Sequence, residues 1–201
     1  MDGTPPPTLR ERKRERTSAA IVAAGLDLFE RVGYDETTVA DIAAAADIGT
    51  RTFFSYFASK EELLFPESDG RIQAAVDAIA TRQSGDRPAD VLLRALTGVT
   101  VDSDDLVSPL AALRMRLMLT VPAVRGRALQ MQFDAQREIA SHLVDAFPEL
   151  DRIDATALVG ALIGAVAGAL DVLLADPGEP QTPVALARRL RQAARNALSA
   201  L

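Results

Sequence analysis

The sequence predicts an all-α protein: a three-helix N-terminal module carrying a helix-turn-helix, then a larger helical body, about nine helices in total. Three observations carry that expectation. Apolar residues recur at helical spacing throughout, and no stretch alternates in the manner of a strand. Proline, glycine and Thr/Ser/Asp clusters fall where helices of ordinary length start and stop. The 201 residues, 48% apolar and 25% charged, are globular in composition and sufficient for a packed core.

The elements follow in order. Residues 1–8 are polar and proline-rich, a disordered tail without the apolar run of a signal peptide. Ile21, Gly25, Leu28, Phe29 and Val32 keep to one helical face, giving an amphipathic helix over 9–31 closed by Gly33. Thr37 or Thr38 caps a short helix whose apolar positions are Val39, Ile42, Ala43 and Ala46. A turn at Asp47-Ile48-Gly49 leads to a second short helix over 50–57. Ser59 then caps a fourth, with Glu62 three residues on as a capping box. Pro66 and Gly70 interrupt a helix running to about residue 84, Pro88 opens one to roughly Val101, and the 102–105 cluster DSDD begins the next. Pro122 and Pro148 bracket 123–147. Asp154 caps an apolar helix over 155–175, Asp176-Pro177-Gly178 ends it, and Pro183 starts the last, to Leu201. The expected domains are 9–58 for the helix-turn-helix and 59–201 for the body.

Composition excludes several chemistries. With no cysteine there is no disulfide framework, thiolate zinc site or cysteine nucleophile, and a single histidine, His142, forms no multi-histidine metal site. No metal or cofactor is expected. Charge is unevenly placed: Arg10, Arg12, Lys13, Arg14 and Arg16 crowd the start of the first helix within a chain of net charge −6. A net acidic protein still binds a polyanion through a local basic patch, because distant charges are screened within about 10 Å. The alternative is a solvated helix start. The 155–175 stretch, interrupted only by Thr156 and Asp171, is long enough to span a bilayer. Its internal carboxylate, acidic flanks and lack of aromatic anchors favour a buried helix in the core or a subunit interface, so no membrane partner is expected.

Residues 39–58 fit a helix-turn-helix. Ala43 is small where two steeply crossed helices approach, and Asp47 tolerates the left-handed conformation the turn requires. Ile42, Ala46, Ile48, Phe53 and Tyr56 close a small core. Thr50, Arg51, Thr52 and Ser55 are left on the second helix, side chains suited to base edges and phosphates in a major groove. Tyr56, Ser59 and Lys60 add a phenol, a helix start and an ammonium for a phosphate backbone. An ordinary helical hairpin in an all-α core is the competing interpretation.

At this level of detail the sequence resembles the TetR-type transcriptional regulators. The residues carrying the likeness run from Leu28-Phe29-Glu30-Arg31-Val32-Gly33-Tyr34 through Thr37-Thr38-Val39-Ala40-Asp41-Ile42-Ala43 to Thr52-Phe53-Phe54-Ser55-Tyr56-Phe57-Ala58-Ser59-Lys60-Glu61-Glu62-Leu63-Leu64. The resemblance covers about residues 15–65. It implies that the second helix of the motif enters the major groove and that Tyr56 and Lys60 contact phosphates. Thr38 and Arg14 are counted with them as DNA-binding candidates. Gly49 departs from the pattern where a capping Ser is usual, and Arg51 where Gly is frequent. Arg51 is the candidate for a guanine contact.

For the body the resemblance implies a helical effector-binding domain whose last two helices dimerise, so that two copies read a palindromic site on double-stranded DNA. Gly160, Gly164 and Gly168 recur every four residues as a smooth ridge. Leu158, Leu162, Ala165 and Val172, with Leu190, Ala194 and Ala197 of the last helix, supply the expected homodimer face; core packing within one chain is the alternative. Leu113, Leu117, Met118, Met131 and Phe147 form a candidate pocket for a small, apolar effector, with Arg114 for an anionic head group, or are plain core. The functional expectation is a cytoplasmic, ligand-released repressor and not an enzyme. The competing classes are a small helical enzyme using a carboxylate pair (Glu61-Glu62 or Asp104-Asp105) and a helical scaffold or membrane-associated protein.

Overall fold

The computed structural model describes residues 8–66, 68–101, 108–175 and 182–199. Among these the chain is helical, with α1 (Leu9–Arg31), α2 (Val39–Ala45), α3 (Thr50–Phe54), a 3-10 helix (Lys60–Leu64), α4 (Ser68–Ala80), α5 (Pro88–Val101), α6 (Pro109–Thr120), α7 (Pro122–Ala146), α8 (Arg152–Ala175) and α9 (Pro183–Leu198). The 102–105 and 176–178 boundaries expected from sequence, residues 1–7 of the tail and Leu201 lie outside the described residues.

The chain divides after Pro66 into two compact units. That places the boundary eight residues beyond the expected one at Ala58, because Leu63 and Leu64 are buried. The first unit is a small core of Ile21, Phe29, Ile42, Phe53, Leu63 and Leu64. Gly25 lets the 3-10 helix approach α1: a Cβ there would sit 2.4 Å from Leu63 Cδ1. Thr8, expected in the tail, instead caps α1. Its hydroxyl accepts from the Glu11 N–H while its own N–H donates to the Glu11 carboxylate.

Other boundaries differ for local reasons. α3 stops at Phe54 and not 57, since the Ser55 and Tyr56 N–H groups bond only three residues back, to Thr52 and Phe53. That tightening turns Phe57 inward, with its ring centroid 5.9 Å from that of Phe53. The capping box at Ser59 does not form. The Glu62 carboxylate accepts from the Ala58 N–H instead, and the segment is a single 3-10 turn. α4 passes through Gly70 and ends at Ala80, where the Thr81 hydroxyl donates to the Asp77 carbonyl. α8 starts one turn earlier than expected, because Asp151 and not Asp154 caps it, accepting from the Asp154 N–H.

In the second unit α4, α5, α7 and α8 meet around Ile79, Val91, Leu92, Leu143, Phe147 and Val159, and Ala194 and Leu198 of α9 close this core at one end. A satellite cluster of Leu173, Leu186 and Leu190 joins α8 to α9. Apolar packing over long helices is the main source of cohesion here, at roughly 25 cal/mol per Å² removed from water.

Candidate nucleic-acid interface

α2, the turn and α3 are built as a helix-turn-helix by short-range chemistry. Thr38 caps α2 with a reciprocal box: its hydroxyl accepts from the Asp41 N–H at 3.2 Å, and its N–H donates to the Asp41 carboxylate at 2.9 Å. Hydrogen bonds from the Thr38 side chain and backbone hold the Asp41 carboxyl below its ordinary range. Asp47 takes φ +53° at the turn, and the following Ile48 N–H bonds the Ala43 carbonyl at 2.9 Å. Gly49 then opens α3 with no side-chain cap, as its departure from the family pattern suggested. What seats so short a helix is Phe53, fully buried in the unit's core.

With Phe53 inside, Thr50, Arg51, Thr52, Phe54 and Ser55 are left exposed. The Ser55 hydroxyl donates to the Thr52 carbonyl and keeps a lone pair outward. Arg14 of α1 lies over the Tyr56 ring, 4.9 Å from guanidinium carbon to centroid, so two of the predicted contact residues are one stacked unit. Thr38 is exposed at the start of α2. Lys60 is directed differently. Its ammonium donates to the carbonyls of Tyr34 at 2.6 Å and Thr37 at 2.8 Å, and sits 4.1 Å from the Tyr34 ring centroid. Two of its three donors thus brace the α1–α2 connection.

Sequence reasoning missed this brace, because its partners lie 23 and 26 residues away. The Tyr34 phenol donates to the Glu61 carboxylate in the same cluster. Burial first, then the Glu61 hydrogen bond and charge, push the Tyr34 pKa up. Burial raises that of Glu61, but hydrogen bonds from Ser59 and Tyr34 and the Lys60 charge outweigh it and leave it lowered. Glu61 and Glu62, one of the two carboxylate pairs weighed for catalysis, are therefore spent on Tyr34 and on the Ala58 N–H, while the other, Asp104-Asp105, lies outside the described residues.

In the second unit the predicted residues separate. Leu113, Leu117 and Phe147 are buried, Arg114, Met118 and Met131 half-buried. Phe147 belongs to the main core, with the Arg82 guanidinium over its ring. An open groove of about 450 Å³ between α7 and α8 is lined by Gln136, Arg152, Ile153, Thr156, Ala157 and Gly160, and takes in none of the six. The expected dimer face needs correction. Leu162 and Ala194 are buried in the main core with residues of α4, α5 and α7, where Leu158 also packs, and Leu190 is buried in the α8–α9 cluster. Gly160 serves an internal contact, since a Cβ there would sit 2.7 Å from Gln136 Nε2. Ala165 and Ala197 are half-buried. Gly164, Gly168 and Val172 are exposed, in line with Ile153 and Ala157 along one mostly apolar face of α8 that also carries exposed Asp171. This helix, over 152–173, is long and apolar enough to cross a membrane by length and composition.

A capped helix, a left-handed turn and a short helix with a hydrogen-bonding outer face, flanked by a basic first helix, define a helix-turn-helix. Residues 21–65 match the model of the bacterial regulatory proteins of the tetR family. Over 122 residues the chain is 35% identical to the HTH-type transcriptional regulator TcmR of Streptomyces glaucescens, an alignment spanning 60% of this chain and 54% of TcmR. Two solved structures share the fold over most of their length. Thermus thermophilus FadR in complex with lauroyl-CoA gives a TM-score of 0.56 at 23% identity, covering 90% of this chain and 93% of that one. The SmeT–triclosan complex, of the Stenotrophomonas maltophilia repressor, gives 0.60 at 18%, covering 92% and 91%. The chain thus resembles the tetR family by sequence over residues 21–65 and shares the fold of these two structures across nearly its whole length.

Proposed function

We propose that this chain is a DNA-binding transcriptional regulator, a cytoplasmic homodimer that represses from a palindromic operator and is released by a small, mostly apolar effector. The observation that carries the reading is the outer face of α3. Buried Phe53 orients Thr50, Arg51, Thr52 and Ser55 outward, with the Arg14–Tyr56 stack and Thr38 beside them. Arg51 would address a guanine edge, while Thr38, Arg14, Tyr56 and the third Lys60 N–H would take phosphates and fix register. The matched relatives are named as regulators, and Glu61 and Glu62, one of the two carboxylate pairs weighed for an enzyme, are occupied structurally, so the reading is of a binding protein.

The exposed Gly164, Gly168 and Val172, with half-buried Ala165 and Ala197, are the residues of the predicted dimer patch still available to a second copy. Covering α8 in this way also accounts for its apolarity without a membrane. Effector binding in the body would shift the population of dimers toward a spacing of the reading heads that no longer fits successive major grooves, about 34 Å apart. Structural relatives that hold triclosan and lauroyl-CoA support an apolar ligand class, with Leu113, Leu117, Met118, Met131 and Phe147 as lining candidates and Arg114 for a charged end.

Capture of sheared genomic DNA by the purified protein at two salt concentrations tests the proposal. Enrichment of a few palindromic sites that persists at the higher salt is the expected result. Uniform retention that vanishes with salt would reduce the interaction to phosphate attraction and overturn it.

A further inference from the structure

Phe54 stands on the outer face of α3 with 57% of its surface exposed, while its neighbour Phe53 is completely buried. Single exposed apolar residues are common on proteins; this one occurs on a five-residue helix whose other outward side chains are all polar. Its ring is also held. Phe53 meets it edge-on, with centroids 5.5 Å apart and planes at 85°, and Phe53 itself has no room to move. Arg51 lies three residues earlier, one turn away along the same side of the helix, and Ser55 follows directly.

A phenyl ring has neither donor nor acceptor, so it takes no part in hydrogen bonding to phosphates or base edges. The apolar feature that a major groove offers at fixed positions is the 5-methyl group of thymine. Resting on the DNA-reading function proposed above, we infer that Phe54 is a specificity-determining residue that packs against a thymine methyl in each operator half-site. The neighbouring Arg51 and Ser55 satisfy polar edges beside it. The same contact accepts any 5-methylpyrimidine, so 5-methylcytosine is distinguished from cytosine at that position.

The test first selects a preferred site for the wild-type protein from a random duplex pool. Each thymine of the selected half-site is then replaced by deoxyuridine, which removes only the methyl, and binding of the wild type, Phe54→Ala and Phe54→Leu is measured. One thymine per half-site is expected at which deoxyuridine weakens the wild type by about fourfold, the worth of one buried methyl, and by about fifteenfold when both half-sites are changed. Phe54→Ala should bind the thymine and deoxyuridine sites equally, and Phe54→Leu should keep part of the difference. At that position 5-methylcytosine should bind about fourfold tighter than cytosine. A wild type indifferent to deoxyuridine at every thymine, or a Phe54→Ala that loses as much as the wild type, overturns the inference while leaving the regulator reading intact. Selection that yields no preferred site overturns both.

Discussion

The N-terminal unit and the α8 helix of the body are held by opposite means. In the first, nearly every turn is fixed by a particular polar contact: Thr8 with Glu11, Thr38 with Asp41, Lys60 with two carbonyls, Tyr34 with Glu61. In α8 the caps are slight and long apolar surface does the work, with one side buried and the other bare. A small unit buries too little apolar area to be specified by packing alone, so directional bonds complete it. A long apolar helix can instead serve its own chain on one face and another molecule on the opposite face.

Substitutions can break or sharpen that contrast. Phe53→Ala removes the only large side chain that anchors α3 and should cost the first unit about 3–5 kcal/mol, measured by denaturant unfolding, with α8 protection from hydrogen exchange unchanged. Gly25→Ala puts a Cβ against the fully buried Leu63 and should cost about 1–3 kcal/mol. Its counterpart in the body, Gly160→Ala, meets only the end of the half-buried Gln136 side chain and should cost less than about 1 kcal/mol. Equal losses from the two glycines would contradict the distinction. Thr38→Ala should cost about 1 kcal/mol through the lost cap. Gly164→Ala, with open space around its added Cβ, should leave the monomer as stable or slightly more so while weakening self-association in sedimentation.

The pH response divides the units on one side only. Asp41 and Glu61 are held low in the first unit, and Asp86, hydrogen-bonded by Arg94 and the Gln83 N–H, in the second. A lowered carboxylate contributes stability above its unfolded pKa of about 4 and loses it as pH falls through the folded value, so acid should weaken both units. Tyr34 is raised, so its contribution is complete below about pH 10 and is lost as pH rises beyond that. Alkali should therefore open the first unit selectively, visible as earlier loss of hydrogen-exchange protection there than in α7 and α8.

The same contrast explains what could be read in advance. Thr38, Asp47, Gly49 and Phe53 were legible because a cap, a left-handed turn and a buried aromatic are each written in short-range sequence. The direction of Lys60 was not, since its acceptors come from a distant connection. The Gly160-Gly164-Gly168 ridge announced a close approach but not which helix makes it: Gly160 faces Gln136 of its own chain, Gly164 and Gly168 face outward. Leu190 and Ala194 have the pattern of an interface and are used internally, because periodicity alone does not tell one apolar neighbour from another.

The chain has no tryptophan and two tyrosines, Tyr34 and Tyr56. Both lie in the first unit, one donating to a carboxylate and the other lying beneath Arg14. The intrinsic emission of the unlabelled protein is therefore a spectroscopic report from the reading head alone. A compound that binds the body leaves that signal untouched unless its effect travels to residues 8–66, so a tyrosine-emission titration separates mere occupancy from transmission.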